Sequence, residues 1–202
     1  MSRWPGKYVI GLTGNIATGK SAVRTMLEEL GAYGIDADAL AHRVIARGAP
    51  GYARVVESFG ERILNGDGQI NRTRLGRIVF GDPEALRRLE EIVHPLVRQE
   101  VDLLVRGAHQ PVVVIEAIKL LESPLAREAD AVWVTDAPPA LQVERLMSSR
   151  SMSEAEALRR IASQNPQSEK VKVADVMIDT RGALDQTRRQ VQAAWARIPV
   201  LV

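Results

Sequence analysis

Eight consecutive residues, Gly14-Asn15-Ile16-Ala17-Thr18-Gly19-Lys20-Ser21, constrain this chain more than any other stretch. They fit the spacing G-x-x-x-x-G-K-[ST]. An apolar run, Tyr8-Val9-Ile10-Gly11-Leu12, leads into them, and a helical pattern from Ser21 to Leu30 follows. In a strand–loop–helix context the glycines let backbone N–H groups turn inward, at the positive end of a helix dipole, and cradle phosphate oxygens. Lys20 then reaches the β- and γ-phosphates, and the Ser21 hydroxyl ligates Mg²⁺. A glycine-rich turn that merely caps a buried helix is the plain alternative, and the flanking strand and helix argue against it. The expected ligand is a nucleoside triphosphate with Mg²⁺, held by Gly14 through Ser21.

The 202 residues suffice for one α/β domain with a small insertion. A formal net charge of +2 with 26% charged residues is too even to imply nucleic-acid binding. Trp4, Trp133 and Trp195 are scattered and make no stacking platform for bases. With no Cys, thiolate catalysis and Cys-type zinc sites are excluded. The longest apolar runs, such as Val112 to Ile115, are too short for a membrane span. Met1 to Lys7 leads into the first strand without a secretory apolar region, so a cytoplasmic location is expected.

Five apolar runs read as strands: Tyr8–Leu12, Tyr33–Ile35, Val112–Ile115, Ala131–Thr135 and Val176–Ile178. Helical patterns separate them, which predicts a doubly wound parallel five-stranded α/β sheet. The first helix ends at Leu30-Gly31, and a second is predicted from Asp38 to Arg47. Residues 48–110 carry helices and almost no strand signal. Asn65-Gly66-Asp67-Gly68 marks a turn there, and Asp82-Pro83-Glu84 starts a helix with an N-cap and a Pro at its first position. His94-Pro95 is expected to end or kink that helix. Rising from the carboxyl edge of the sheet, 48–110 is the natural place for an acceptor-binding subdomain, with 1–47 and 111–202 as the nucleotide-binding core. After the fourth strand, Asp136-Ala137-Pro138-Pro139 opens a helix through Arg150, and Ser153 with Glu156 forms a capping box for another running to about Gln164. Asn165-Pro166 breaks that helix. This Arg-rich stretch, within 140–170, is the expected lid.

Several groups could carry chemistry. Asp36 and Asp38 fall at the end of the second strand, which faces the same crevice as the phosphate loop. Phosphoryl transfer to an alcohol needs a group that orients and deprotonates the hydroxyl, and an Asp serves. Asp38 reads equally well as the N-cap of the helix it starts, and one residue could do both. Arg145 and Arg150 are placed to neutralise a transferring phosphoryl group, the bland alternative being two solvated arginines on a helix face. His94 reads as a buried turn residue, and His42 and His109 as ordinary helix residues without metal-ligand spacing.

The loop alone does not separate kinases, switches and machines. A GTPase would carry D-x-x-G soon after the loop and an N/T-K-x-D reader. The only D-x-x-G here is Asp179-Thr180-Arg181-Gly182, and no N/T-K-x-D exists. A small-molecule kinase fits best. A kinase for another nucleoside or nucleotide, or an ATP-dependent regulator without useful turnover, are the rivals.

Further stretches, in order, carry a resemblance. They are Gly11-Leu12-Thr13-Gly14 through Ser21, Ile35-Asp36-Ala37-Asp38 with Ala41, Phe59-Gly60, and Asp67-Gly68-Gln69-Ile70-Asn71-Arg72 with Leu75 and Phe80. His94-Pro95, Gln142 with Arg145-Leu146, Arg150, Arg160-Ile161 with Gln164, and Ala174-Asp175 with Ile178 complete them. Along nearly its entire length the chain resembles the dephospho-CoA kinases. The resemblance implies ATP-dependent phosphorylation of the ribose 3′-hydroxyl of dephospho-CoA, a P-loop core with a helical CoA-binding domain and a lid, Asp38 as catalytic base, and Arg145 as the phosphate-stabilising arginine. There are departures from the family pattern. Asn15, tolerant of positive φ, and Ala17 stand where the family has Gly, and Thr180 stands where it has Asn. A usual Pro-Leu-Leu-x-Glu reads Ile118-Lys119-Leu120-Leu121-Glu122, which puts the turn there in question and offers Lys119 to an acidic group of the substrate.

Overall fold

The computed structural model describes residues 3–199, so Met1, Ser2 and residues 200–202, which the expected core includes, lie outside the described residues. Along the chain β1 (Tyr8–Thr13), α1 (Lys20–Glu29) and β2 (Tyr33–Asp36) come first. Then follow α2 (Ala37–Arg43), α3 (Tyr52–Phe59), α4 (Arg72–Gly81), α5 (Pro83–Gly107) and β3 (Val112–Glu116). The rest is α6 (Leu125–Glu128), β4 (Ala131–Asp136), α7 (Pro139–Arg150), α8 (Glu154–Ala162), α9 (Gln167–Lys172), β5 (Val176–Asp179) and α10 (Leu184–Trp195).

The strands form one sheet in the order β2-β3-β1-β4-β5, every pairing parallel. Each predicted strand is present, extended by one residue at its carboxyl end. Parallel strands covered on both faces read as continuous apolar runs, and in β3 every residue is buried. On one face Ile10, Leu12, Val112, Val114, Trp133 and Ile178 pack with Val23, Met26 and Leu27 of α1 and Val191 of α10. On the other, Gly11 is where Leu120 comes in: a Cβ there would lie 2.7 Å from Leu120 Cδ2. Two aspartates cap the amino edge, Asp130 accepting from Val9 N (2.8 Å) and Asp175 from Val132 N (2.7 Å). The chain leaves β1 toward β2 on one side and β4 toward β5 on the other. The carboxyl ends of β1 and β4 thus flank a switch point, where ligands bind in such sheets.

The chain divides into two compact units, Met1–Asp36 with Val105–Val202, and Ala37–Leu104. The expected boundaries were 47/48 and 110/111. The second unit is helical among its described residues apart from a Leu64–Ile70 bridge around the Asn65–Gly68 turn. Val55, Phe59, Ile63, Leu75, Val79 and Ala85 are buried in it. The Asp82 carboxylate accepts from Glu84 N at 2.9 Å, as the N-cap reading requires.

Five expectations need correction. His109, expected in a helix, lies past the end of α5. The second helix stops at Arg43 rather than Arg47 and begins directly after β2, so Asp38 lies inside its first turn and is not its N-cap. No helix ends at His94-Pro95: α5 runs through Pro95 for 25 residues. Its buried Ile92, Val93, Val97 and Val101 recur at helical spacing, and this continuous apolar face outweighs one lost backbone bond. His94 itself is exposed, not a buried turn residue. Finally α8 stops at Ala162, and Pro166 initiates α9, a helix the pattern did not predict. Among the described residues no helix is long and apolar enough to cross a membrane.

Trp133 is 2% exposed in the middle of the principal core. Trp133→Ala should destabilise the protein by about 3–5 kcal/mol in urea denaturation. A loss below about 1 kcal/mol would contradict the packing described.

Candidate active site

The phosphate loop joins β1 to α1, and positive φ is what lets it curl. Gly14 (φ 148), Ala17 (φ 60) and Gly19 (φ 89) carry it. Asn15 was expected to tolerate this geometry but does not adopt it; the left-handed residue is Ala17. Gly14 admits no side chain, because a Cβ would sit 2.6 Å from the Thr135 carbonyl oxygen.

The loop is braced from behind. Asn15 N donates to Gln167 Oε1 (2.9 Å), while Gln167 Nε2 donates to the Thr135 carbonyl (2.8 Å). Ile16 N donates to Gln164 Oε1 at 2.8 Å, and Asn15 Nδ2 to the Asn165 carbonyl at 3.0 Å. The fully buried Thr18 hydroxyl meets Thr135 Oγ1 (2.7 Å) and the Asn15 carbonyl (2.8 Å). These partners consume the amides of Asn15 and Ile16. Among the described residues nothing accepts from Ala17 N or Gly19 N. That leaves amides for an anion at the mouth of the loop.

Lys20 is buried, its Nζ donating to the Asn15 carbonyl at 3.2 Å. The Ser21 hydroxyl donates to Glu116 Oε1 (3.0 Å), and Arg24 Nε donates to Glu116 Oε2 (2.8 Å). Arg24 also pairs with Glu28 at 2.9 Å. Burial lowers the basicity of Arg24, but its hydrogen bond to Glu116 and the charges of Glu28, Glu116 and Asp36 outweigh that, holding its pKa above the ordinary guanidinium value. Arg145 of α7 lies against the loop: Nη1 donates to Ala17 O (3.0 Å) and Thr180 Oγ1 (3.2 Å), and Nη2 to Thr180 O (2.6 Å). Thr180, the departure from Asn, is bonded in turn to the carbonyls of Thr18 (2.8 Å) and Asp136 (3.1 Å).

Among the expected site residues, Gly14 through Ser21 and Arg145 therefore come together. Arg150 ends α7 exposed, and its side chain makes no hydrogen bond or ion pair among the described residues. Asp38 belongs to the Ala37–Leu104 unit and follows the carboxyl end of β2 by two residues. The altered Ile118–Glu122 turn is well held, Ile118 O accepting from Thr13 Oγ1 (3.1 Å) and buried Lys170 Nζ (2.6 Å), while Lys119 is exposed. Glu116, Arg24 and Gln167 were missed as site residues. An acidic residue closing a fully buried apolar strand beside the loop was the available signal for Glu116.

The donor set suits a magnesium ion arriving with a nucleotide. Mg²⁺ takes oxygen ligands, keeps several waters and is held by one or two protein groups plus phosphate oxygens. A hydroxyl that spends its proton on a carboxylate 5% exposed keeps its lone pairs for such an ion.

Comparison with known proteins decides the family. The model of the family described as "Dephospho-CoA kinase" matches residues 8–186, phosphate loop included. This chain belongs to the dephospho-CoA kinase family. It is 48% identical over 197 residues to a dephospho-CoA kinase of Cutibacterium acnes, covering 96% of this chain and 85% of that one. The corresponding protein of Symbiobacterium thermophilum is 46% identical over 190 residues, covering 93% and 80%. A solved protein from Thermus thermophilus superposes with a TM-score of 0.83 at 32% identity, over 95% of this chain and 98% of that one. The P-loop kinase fold, the kinase activity of the family and ATP as its phosphoryl donor stand on these matches.

Gln167→Met keeps the side-chain volume but leaves the Asn15 amide and the Thr135 carbonyl without their partner. Stability should fall by about 1–3 kcal/mol, and ATP affinity by about tenfold in calorimetry. Wild-type ATP affinity in the variant would refute the bracing role.

Proposed function

We propose that this chain is a cytoplasmic enzyme that transfers the γ-phosphoryl group of ATP to the ribose 3′-hydroxyl of dephospho-CoA, giving coenzyme A and ADP, the last step of CoA synthesis. The match to the dephospho-CoA kinase family over residues 8–186 carries this reading.

The mechanism follows from the groups present. The amides of Ala17, Gly19 and the first turn of α1 receive phosphate oxygens at the positive helix end. Lys20 exchanges the Asn15 carbonyl for the β- and γ-phosphates. Ser21, whose proton goes to Glu116, would hold Mg²⁺ through its lone pairs, and the ion would supply positive charge against the phosphates. Arg145 spends three of its five N–H groups on Ala17 and Thr180, which fixes the guanidinium and leaves two for phosphate oxygens. We assign it to the transferring phosphoryl group, with Arg150 joining as the 140–170 segment closes over the nucleotide. Asp38 orients the 3′-hydroxyl and takes its proton as the oxygen attacks phosphorus in line and the bond to ADP breaks. The 48–110 region binds the acceptor.

The direct test is ADP release with ATP, Mg²⁺ and dephospho-CoA, with CoA formation verified by mass spectrometry and adenosine, AMP and acceptor-free controls. Turnover only with dephospho-CoA is expected; turnover with another acceptor, or none, overturns the assignment. Asp38→Asn should cut kcat by about 10²-fold or more with ATP affinity retained. Arg145→Met should cost up to about 10³-fold in kcat. A loss confined to melting temperature would return Arg145 to a structural brace.

A further inference from the structure

We propose that Arg24 is a positioning residue that keeps Glu116 from ligating a cation directly, so that the divalent ion enters this site with the nucleotide and not ahead of it. The inference rests on the reading of the loop as a Mg²⁺–ATP site. Arg24 sits three residues after Ser21, on the same face of α1. Between them the two side chains divide the Glu116 carboxylate: Oε1 takes the Ser21 hydroxyl proton, and Oε2 takes Arg24 Nε. Glu28 holds the other side of the guanidinium, and Asp36, paired in register with Glu116 across β2 and β3, adds its charge.

Two carboxylates, Glu28 and Glu116, thus bond one guanidinium, and the charge of Asp36 also acts on it. Without it, Glu116 and Asp36 with the Ser21 hydroxyl form the kind of oxygen set that a hard cation takes. With it, one oxygen of Glu116 is occupied, and a divalent ion meets a fixed positive charge that solvent screens poorly at a half-buried position. A triphosphate supplies enough negative charge to reverse that balance; the empty loop does not. Glu116 thereby acts on the ion through Ser21 rather than by direct contact.

Mn²⁺ titration of the nucleotide-free protein, followed by electron paramagnetic resonance, tests this without turnover. Arg24→Gln should bind Mn²⁺ at least about tenfold more tightly than wild type, since even water-like screening of one adjacent charge is worth that much. A merely structural loss would weaken the site instead. Arg24→Lys, which keeps the charge, should stay near wild type. Adding Glu116→Gln to Arg24→Gln should remove the gain. Unchanged or weaker Mn²⁺ binding in a cooperatively melting Arg24→Gln protein overturns the proposal, as does Arg24→Lys binding as tightly as Arg24→Gln. If Arg24→Gln does not fold, a tight Mn²⁺ site in nucleotide-free wild type overturns it alone. Failure of wild type to bind Mn²⁺–ATP would instead sink the parent reading of the loop.

Discussion

A loop that binds phosphate through its backbone must aim several amides at one point, and amides cannot be aimed from the front. Here the aiming is done from behind, by acceptors drawn from elsewhere in the chain. Gln167 and Gln164 take the amides of Asn15 and Ile16, and the Thr18 and Thr135 hydroxyls lock the base of the loop to β4. Much of the core unit serves this constraint. The parallel sheet opens between β1 and β4 to seat the loop, and α8 and α9 follow in sequence so that two glutamines three residues apart arrive together. Ile16 then packs with Leu146 and Ala157, which joins the loop to α7 and α8 by burial as well as by hydrogen bonds.

Charge is arranged by the same economy of position. Lys20 and Arg145 stand at the loop, while Glu116 and Asp36 stand at the neighbouring strand ends with Arg24 between them. Few of these groups are fully solvated, so their interactions are stronger than surface pairs such as Arg43 with Glu100, where water and salt leave little.

The sheet was legible in the residues because β1, β3 and β4 are largely buried on both faces, and the edge strands β2 and β5 still read as short apolar runs. The loop was legible because its spacing is demanded by geometry. What could not be read were interactions between residues distant in sequence. Nothing local to Gln167 says that it closes on Asn15, 152 positions away. Nothing near Arg24 announces Glu116, 92 positions on. Pro95 shows the opposite limit: the local rule allowed an end or a kink, and the apolar stripe on either side carries the helix through without an end. Asp38 was weighed as an N-cap because the helix was expected to start after it, whereas β2 passes into α2 with no intervening residue.

The two departures inside the loop show how such a constraint is met by other means. Ala17 in the left-handed region costs about 1–2 kcal/mol that glycine would not. Its carbonyl accepts from Arg145, and its side chain packs against the cluster of Ile16, Leu146 and Ala157, so the strained residue is fixed by its neighbours. Asn15 adds a bond to the Asn165 carbonyl that glycine has no atom to make. A glycine at either place would loosen the loop in the unfolded and the folded chain alike. With Asn and Ala the loop gains rigidity only in the one geometry that α7 to α9 support. The conformation of the loop and the seating of that segment are therefore a single equilibrium, and whatever displaces α8 and α9 also releases the amides of Asn15 and Ile16.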